Sequence, residues 1–404
     1  MVKIGILREE KVKTDMRVPF SPDQCKFLQE KFNIKIYCQS SKRRCFSDNE
    51  YRKKNIEVLK DISNCDIFFG VKEIDENKII SGKKYFFFSH TIKEQEYNRD
   101  MIKEIIKKKI TLIDYECIKN KEGKRLVAFG KLAGIVGAYN AILGYGKKLK
   151  NYKLKRCFEF KNYNELKKNI KQIKLPKMKI AVLGNGKVAK GCVEILKEFN
   201  IVEINRSQLV NEQFQNPVFC KLTAKDYYIK NDDNSFSKKL FYNNPTDYKS
   251  NFEQYFDSID ILINATYWNV KIPRIFTLNE MKSKKFKIKV IADISCDIEG
   301  LIPCTLKSTT IESPFYDYNA SKNEIQKEFE SDKNVTIMAI DNLPSELPVD
   351  ASINFGKQLI KNVINPLLNK DDENRESLNN ATITKNGELT PKYLYLKNFI
   401  NENK

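Results

Sequence analysis

The chain has 404 residues, 41% of them hydrophobic and including 25 Phe and 19 Tyr, enough for more than one packed core. Its formal net charge is +20, but the Lys residues are spread along the whole length together with Asn and Ile, as an AT-rich coding bias would produce, and no RNA-recognition, zinc-finger or basic-zipper pattern accompanies them, so nucleic acid is not an expected partner. No apolar run approaches about 18 residues, so no membrane span is expected. Ten cysteines without a CxxC pair, with a single histidine, argue against a metal site and fit a reducing cytosol, so cytoplasmic placement is expected.

Residues 3–7 read as a strand, because the N-terminal apolar stretch is too short for a signal peptide. Ser21 as N-cap and Pro22 at the first helical position predict a helix over 22–32. Strands follow at 34–37, 66–71, 85–89 and 109–114. They are separated by polar helical segments, which implies βαβ units and a parallel sheet. The small residues of 134–146 would allow close helix approach, as in a helix connecting two domains. A polar, Lys-rich stretch occupies 147–177. A second α/β unit then begins, with a strand at 177–183, a helix over 192–199 and a short strand at 202–204. Residues 211–254 are polar, aromatic and irregular, in the manner of an insertion. Strands are expected at 259–265, 287–294 and 335–340, and a helix over 351–368.

Gly184-x-Gly186-x-x-Ala189 follows a strand and opens a helix, the context a dinucleotide-binding turn requires. Gly184 permits the tight turn, Gly186 lets the backbone approach a pyrophosphate, and Ala189 is small enough for close helix–strand packing. Gly184, Gly186, Lys187, Val188 and Ala189 are therefore expected on the cofactor. The acidic residue anticipated about 20 positions further on is Glu203, which could accept from ribose hydroxyls and favour NAD. Arg206 could instead meet a 2′-phosphate, so NAD and NADP both stay open.

Two strand ends of the first domain carry ionisable groups: Lys72 in Gly70-Val71-Lys72-Glu73, and His90 in Ser89-His90-Thr91-Ile92-Lys93. Ligands collect at the carboxyl ends of strands in open α/β sheets. A lysine in a dry or cationic cleft can act as a base, and a neighbouring histidine as the complementary acid. His90 is the only histidine available for that role. Glu116 closes a further strand and could tune Lys72. Arg17 and Arg125 are planar forks suited to carboxylates.

Taken together, Leu7-Arg8-Glu9-Glu10, Arg17-Val18-Pro19, Gly70-Val71-Lys72, Phe87 to Lys93, Leu112 to Glu116, Val127 to Gly130, Ala292 to Ile298, Thr309 to Glu312, Ile340 to Pro344 and the tail Ala381 to Gly387 resemble lysine-forming saccharopine dehydrogenase. The likeness is strongest to the lysine–ketoglutarate reductase half of the bifunctional lysine-degrading enzyme, and the wider relatives are alanine dehydrogenase and the transhydrogenase NAD-binding subunit. The second half of the bifunctional enzyme has no counterpart in the sequence. The resemblance implies an α/β fold of two Rossmann-like domains with parallel sheets and an interdomain cleft. Residues 1–134 with about 330–404 would form the substrate domain and 135–330 the dinucleotide domain. It implies reversible NAD- or NADP-dependent oxidation of saccharopine to L-lysine and 2-oxoglutarate, with Lys72 as general base and His90 as general acid. Arg17, Lys93, Glu116, Arg125 and Asp341 are expected on the substrate, and Asp341 near the nicotinamide as well. An alanine dehydrogenase-like amino-acid dehydrogenase is the alternative. The expected partners are small molecules.

Overall fold

A computed structural model describes residues 1–10, 14–369 and 371–402. The chain divides into two compact units, Met1–Phe129 with Pro348–Lys404, and Gly130–Leu347. Among the described residues no helix is long and apolar enough to cross a membrane.

The first unit begins with β1 (Val2–Ile6), β2 (Ile34–Gln39), β3 (Glu57–Leu59), β4 (Ile67–Phe69), β5 (Lys84–Phe87) and β6 (Thr111–Asp114). All six are parallel, in the order β6-β5-β4-β1-β2-β3. Helices cover both faces of such a sheet, so its central strands are apolar without alternation. This explains the Ile-Phe-Phe and Tyr-Phe-Phe runs of β4 and β5. Their rings stack across the ladder, Phe69 on Phe86 with centroids 4.6 Å apart and Phe68 on Tyr85 at 4.9 Å. The helix Pro22–Lys31 starts as its sequence predicts, with Ser21 and Gln24 forming a reciprocal capping box.

The second unit contributes β7 (Lys179–Leu183), β8 (Val202–Glu203), β9 (Val218–Leu222), a hairpin of β10 (Tyr228–Lys230) and β11 (Tyr248–Ser250), then β12 (Ile261–Asn264), β13 (Val290–Asp293), β14 (Tyr316–Asn319), β15 (Glu324–Gln326) and β16 (Val335–Met338). Its large sheet runs β15-β14-β16-β13-β12-β7-β9-β8. The strands from β16 to β8 are parallel, while β14 and β15 are antiparallel. The helix Gly130–Leu149 belongs to this unit and crosses the helix Lys187–Glu198 at backbone distance. A Cβ on Gly134 would lie 1.9 Å from the Val188 carbonyl oxygen, and one on Gly191 would lie 2.1 Å from that of Lys131. The stretch expected to be an irregular insertion over 211–254 supplies β9, an inner strand of the sheet, as well as the β10–β11 hairpin.

Because β16 joins this second sheet, the second unit extends to Leu347, and the chain re-enters the first unit at Pro348 rather than near 330. The helix Pro348–Leu359 opens into a π-helical stretch, Ile360–Ile364, before Asn365–Leu368. Pro366 has no N–H to continue the regular ladder. After it, β17 (Thr382–Lys385) pairs antiparallel with the free edge of β6, and β18 (Glu388–Leu389) pairs with β17. Asn386 and Gly387, both at positive φ, make the hairpin turn between them.

Candidate active site

Two adjacent strands of the first unit end in ionisable groups that meet. Lys72 and Glu73 follow β4, and His90 follows β5. The Glu73 carboxylate bonds His90 Nδ1 at 2.5 Å, with both side chains largely buried. Burial pushes the Glu73 carboxyl up, but the hydrogen bond and charge of His90, a backbone N–H and the charge of Lys72 outweigh it and hold the group below the usual carboxylate range. With Nδ1 engaged, Nε2 is the ring nitrogen left for a ligand. His90 adopts a left-handed conformation, φ 54°, which costs an L-residue roughly 1–2 kcal/mol. Asp114, buried at the end of β6, compensates by gathering the neighbouring amides. Its Oδ2 accepts from Ser89 N at 2.9 Å, His90 N at 3.2 Å and the Ser89 hydroxyl, and its Oδ1 accepts from Glu116 N at 2.6 Å.

A second buried carboxyl serves the Lys72 side. Glu9, two residues past Leu7 at the end of β1, accepts from Val71 N at 2.6 Å and Lys72 N at 3.0 Å. Desolvation, reinforced by the nearby Asp15 charge, pushes Glu9 up to about 8 against the pull of those two amides and of Arg17. A cavity of about 80 Å³ lies against Glu9, Lys72 and Glu73. Asp15 and Glu73 lie in electrostatic reach of Lys72. Glu116, expected to tune Lys72, pairs with Arg125 Nη1 at 3.2 Å and Lys93 Nζ at 3.8 Å. Arg125 also lies over the Phe88 ring at 5.9 Å, and that ring stacks near His90 with centroids 6.4 Å apart. Arg125 and His90 therefore both lie against the Phe88 ring, and Glu116 links Arg125 to Lys93. Arg17 is placed differently. Its fork is buried and gripped by Asp15, Nε to Oδ1 at 2.9 Å and Nη2 to Oδ2 at 2.5 Å, and it stacks on Phe129 at 4.3 Å. Burial of Asp15 opposes ionisation, but the charge and hydrogen bonds of Arg17 prevail and keep it below the usual range. Glu73, Asp114 and Glu9 lie in stretches noted in the sequence, which gave them no role of their own.

In the second unit, β7 runs into the glycine turn. Gly184 has φ +106°, and a Cβ there would lie 2.8 Å from the Ala265 carbonyl oxygen. Gly186 caps the helix Lys187–Glu198, and a Cβ on it would meet no protein atom within 4 Å. It borders a cavity of about 450 Å³ also lined by Gly184, Thr266, Tyr227, Tyr242 and Tyr267. A dinucleotide fits this turn: the first glycine is required by the fold, and the second leaves open the space a pyrophosphate would take. Ala189 is buried, as close helix packing demands. Val188 packs against Gly130 and Gly134, while Lys187 is exposed at the helix start. Asp341 is exposed just beyond β16, in electrostatic reach of Cys296 after β13. Both therefore lie at the carboxyl edge of the sheet.

Glu203 does not stand where its spacing from the glycines suggested. It ends β8, the edge strand, and the neighbour of β7 is β9. The strand end beside the glycine turn is therefore that of β9, which leads into Thr223-Ala224-Lys225. A cavity of about 320 Å³ there is bordered by Arg206, Lys221, Lys225, Glu203 and Asp226. Both acids are already engaged. Glu203 pairs with Lys197 at 3.0 Å and Lys221 at 3.1 Å, and Asp226 accepts from Thr223 N and Oγ1, each at 2.8 Å.

Two α/β units with parallel sheets and a glycine turn define a fold of two Rossmann-like domains. It is the fold of L-alanine dehydrogenase, which superposes with a TM-score of 0.65 and 14% identity over 98% of this chain and 99% of that one. Residues 5–136 match the alanine dehydrogenase/PNT N-terminal domain family. The particular resemblance read from the motifs is borne out. The chain is 30% identical to the mitochondrial alpha-aminoadipic semialdehyde synthase of Mus musculus, over 98% of this chain and 47% of that protein. It is 26% identical to the NAD(+), L-lysine-forming saccharopine dehydrogenase of Candida albicans, over 90% of this chain and 92% of that protein. The chain thus spans about half the length of its mammalian relatives.

Proposed function

We propose that this protein is a lysine-forming saccharopine dehydrogenase, which oxidises saccharopine reversibly to L-lysine and 2-oxoglutarate with a nicotinamide dinucleotide. The observation that carries the reading is the joining of Lys72-Glu73 after β4 to His90 after β5 through the 2.5 Å Glu73–Nδ1 bond. The nicotinamide, when bound at the glycine turn, supplies the hydride chemistry. Lys72 takes the proton of the secondary amine as the C–N bond is oxidised. His90, oriented through Nδ1 by Glu73, moves protons through Nε2 to and from the water that opens the imine. Lys93 and Arg125 both pair with Glu116 close to His90, cations of the kind a substrate with three carboxylates requires. Asp341 is assigned to the nicotinamide side of the substrate, and a cytosolic location, resting on ten unpaired thiols, belongs to the same reading. Lys72→Met and His90→Gln should each lower kcat about 100-fold or more while nucleotide affinity is retained. Wild-type rates in both would contradict the assignment.

The same reading extends to the choice of nucleotide. An NAD site offers a free carboxylate to the ribose hydroxyls, and an NADP site offers a cation to the 2′-phosphate. Here the cavity at the end of β9 has both acids engaged, and no carboxylate forms an ion pair with Arg206 or Lys225 among the described residues. NADP(H) is accordingly the proposed cofactor, with Lys225 and Arg206 as its phosphate partners.

A further inference from the structure

We infer that Glu9 is a positioning residue for the Lys72–His90 pair, clamping the backbone at Lys72 through both carboxyl oxygens; the inference rests on the function proposed above. The reason lies in how the sheet ends. The Leu7 N–H donates to the Phe69 carbonyl, which is the final backbone bond between the β1 and β4 segments. On the β5 side the ladder continues one step further, through Gly70 N to Phe86 O and Phe88 N to Val71 O. On the β1 side, Val71 N and Lys72 N therefore face no strand carbonyl, and the two oxygens of Glu9 take that place at 2.6 and 3.0 Å. Buried amides of this kind must be paired, but water or a backbone turn could have paired them. A carboxyl that spans consecutive amides also fixes the peptide plane, and with it the direction in which Lys72 and then Glu73 leave the chain.

Asp114 treats the other half of the pair in the same way, gathering the amides of Ser89, His90 and Glu116. Each proposed proton-transfer group thus stands on a strand end held by its own carboxyl. The charged and titratable groups that act on Glu9 are Asp15, Arg17 and Tyr115, with Lys72 bonded through its amide. A carboxyl kept in a setting that opposes its ionisation is a costly way to close a strand, which points to the site it supports.

Glu9→Gln keeps the shape but offers one acceptor and turns a donor toward the second amide. Glu9→Asp is too short to reach both amides and serves if the first variant does not fold. Each should lower kcat about 10- to 100-fold, the scale of a small misplacement of reacting groups, and leave the Kd for NADPH within about twofold. His90 gives the only imidazole signal of the chain. In wild-type protein its ring resonance should carry an inflection near pH 8, the value about which Glu9 ionises, and both variants should lack it. Unchanged kcat, or an inflection that persists, would overturn the clamp. If the wild-type protein turns over neither saccharopine nor lysine with 2-oxoglutarate, the proposed function fails, and the inflection, which needs no substrate, still decides the clamp.

Discussion

The two glycines of the nucleotide turn should fail in different ways when each is replaced by alanine. At Gly184 the backbone has φ +106°, and the new methyl would press to 2.8 Å on the Ala265 carbonyl oxygen. The backbone strain costs about 1–3 kcal/mol, and the overlap adds about 1–3 kcal/mol. Gly184→Ala should therefore destabilise the second unit by about 2–6 kcal/mol and lower its Tm by roughly 5–25 °C. At Gly186 the methyl meets no protein atom within 4 Å, so only the helix cap changes, at a cost of about 1 kcal/mol or less. That methyl enters the space assigned to the pyrophosphate, where losing one charge-assisted hydrogen bond weakens binding about 10- to 100-fold. Thermal unfolding by circular dichroism and titration with NADPH, read by fluorescence, separate the two effects. Equal destabilisation by both substitutions, or normal nucleotide affinity in Gly186→Ala, would refute the assignment of roles.

Lys225→Glu should weaken NADPH binding about 10- to 100-fold, as loss of a charge-assisted contact does, and leave NADH binding unchanged or tighter. An equal loss for both nucleotides would remove the phosphate from that cavity. Glu9 predicts a pH dependence of stability. Its folded pKa, about 8, lies above the ordinary 4.5, so across this window the unfolded chain releases a proton that the folded chain keeps. Stability should fall as pH rises through the window and level off above it. Urea midpoints at several pH values should show a shallower fall in Glu9→Gln, and an unaltered slope would contradict the burial argument.

Strands β1, β2, β4, β5 and β6 of the first unit were legible because parallel strands covered on both faces are written as apolar runs, as in Ile67–Phe69 and residues 85–87, whereas the short β3, β17 and β18 carry no such run and were not expected. The glycine turn was legible because its spacing records a local geometry. The order of β8 and β9 was not. Chain order suggests that the strand after the helix neighbours β7, but the true neighbour lies in a stretch whose Asn, Asp and aromatic residues mask the single run Val218–Leu222. Glu203 was assigned to the ribose on that assumption. The carboxyls that organise the site were equally hidden. Glu73 lies 17 residues from His90, and Glu9 lies 63 from Lys72, so one acidic residue among many becomes a partner only when the sheet brings strand ends together. Arg17 shows the converse: a fork that looks suited to substrate is gripped by Asp15, two residues away.

The central claim concerns a product. Purified protein supplied with L-lysine, 2-oxoglutarate and NADPH should consume all three and form saccharopine, identified by mass, and Lys72→Met should form it about 100-fold more slowly. Rapid NADPH or NADH oxidation with pyruvate and ammonia, and no saccharopine from lysine and 2-oxoglutarate, would contradict the account.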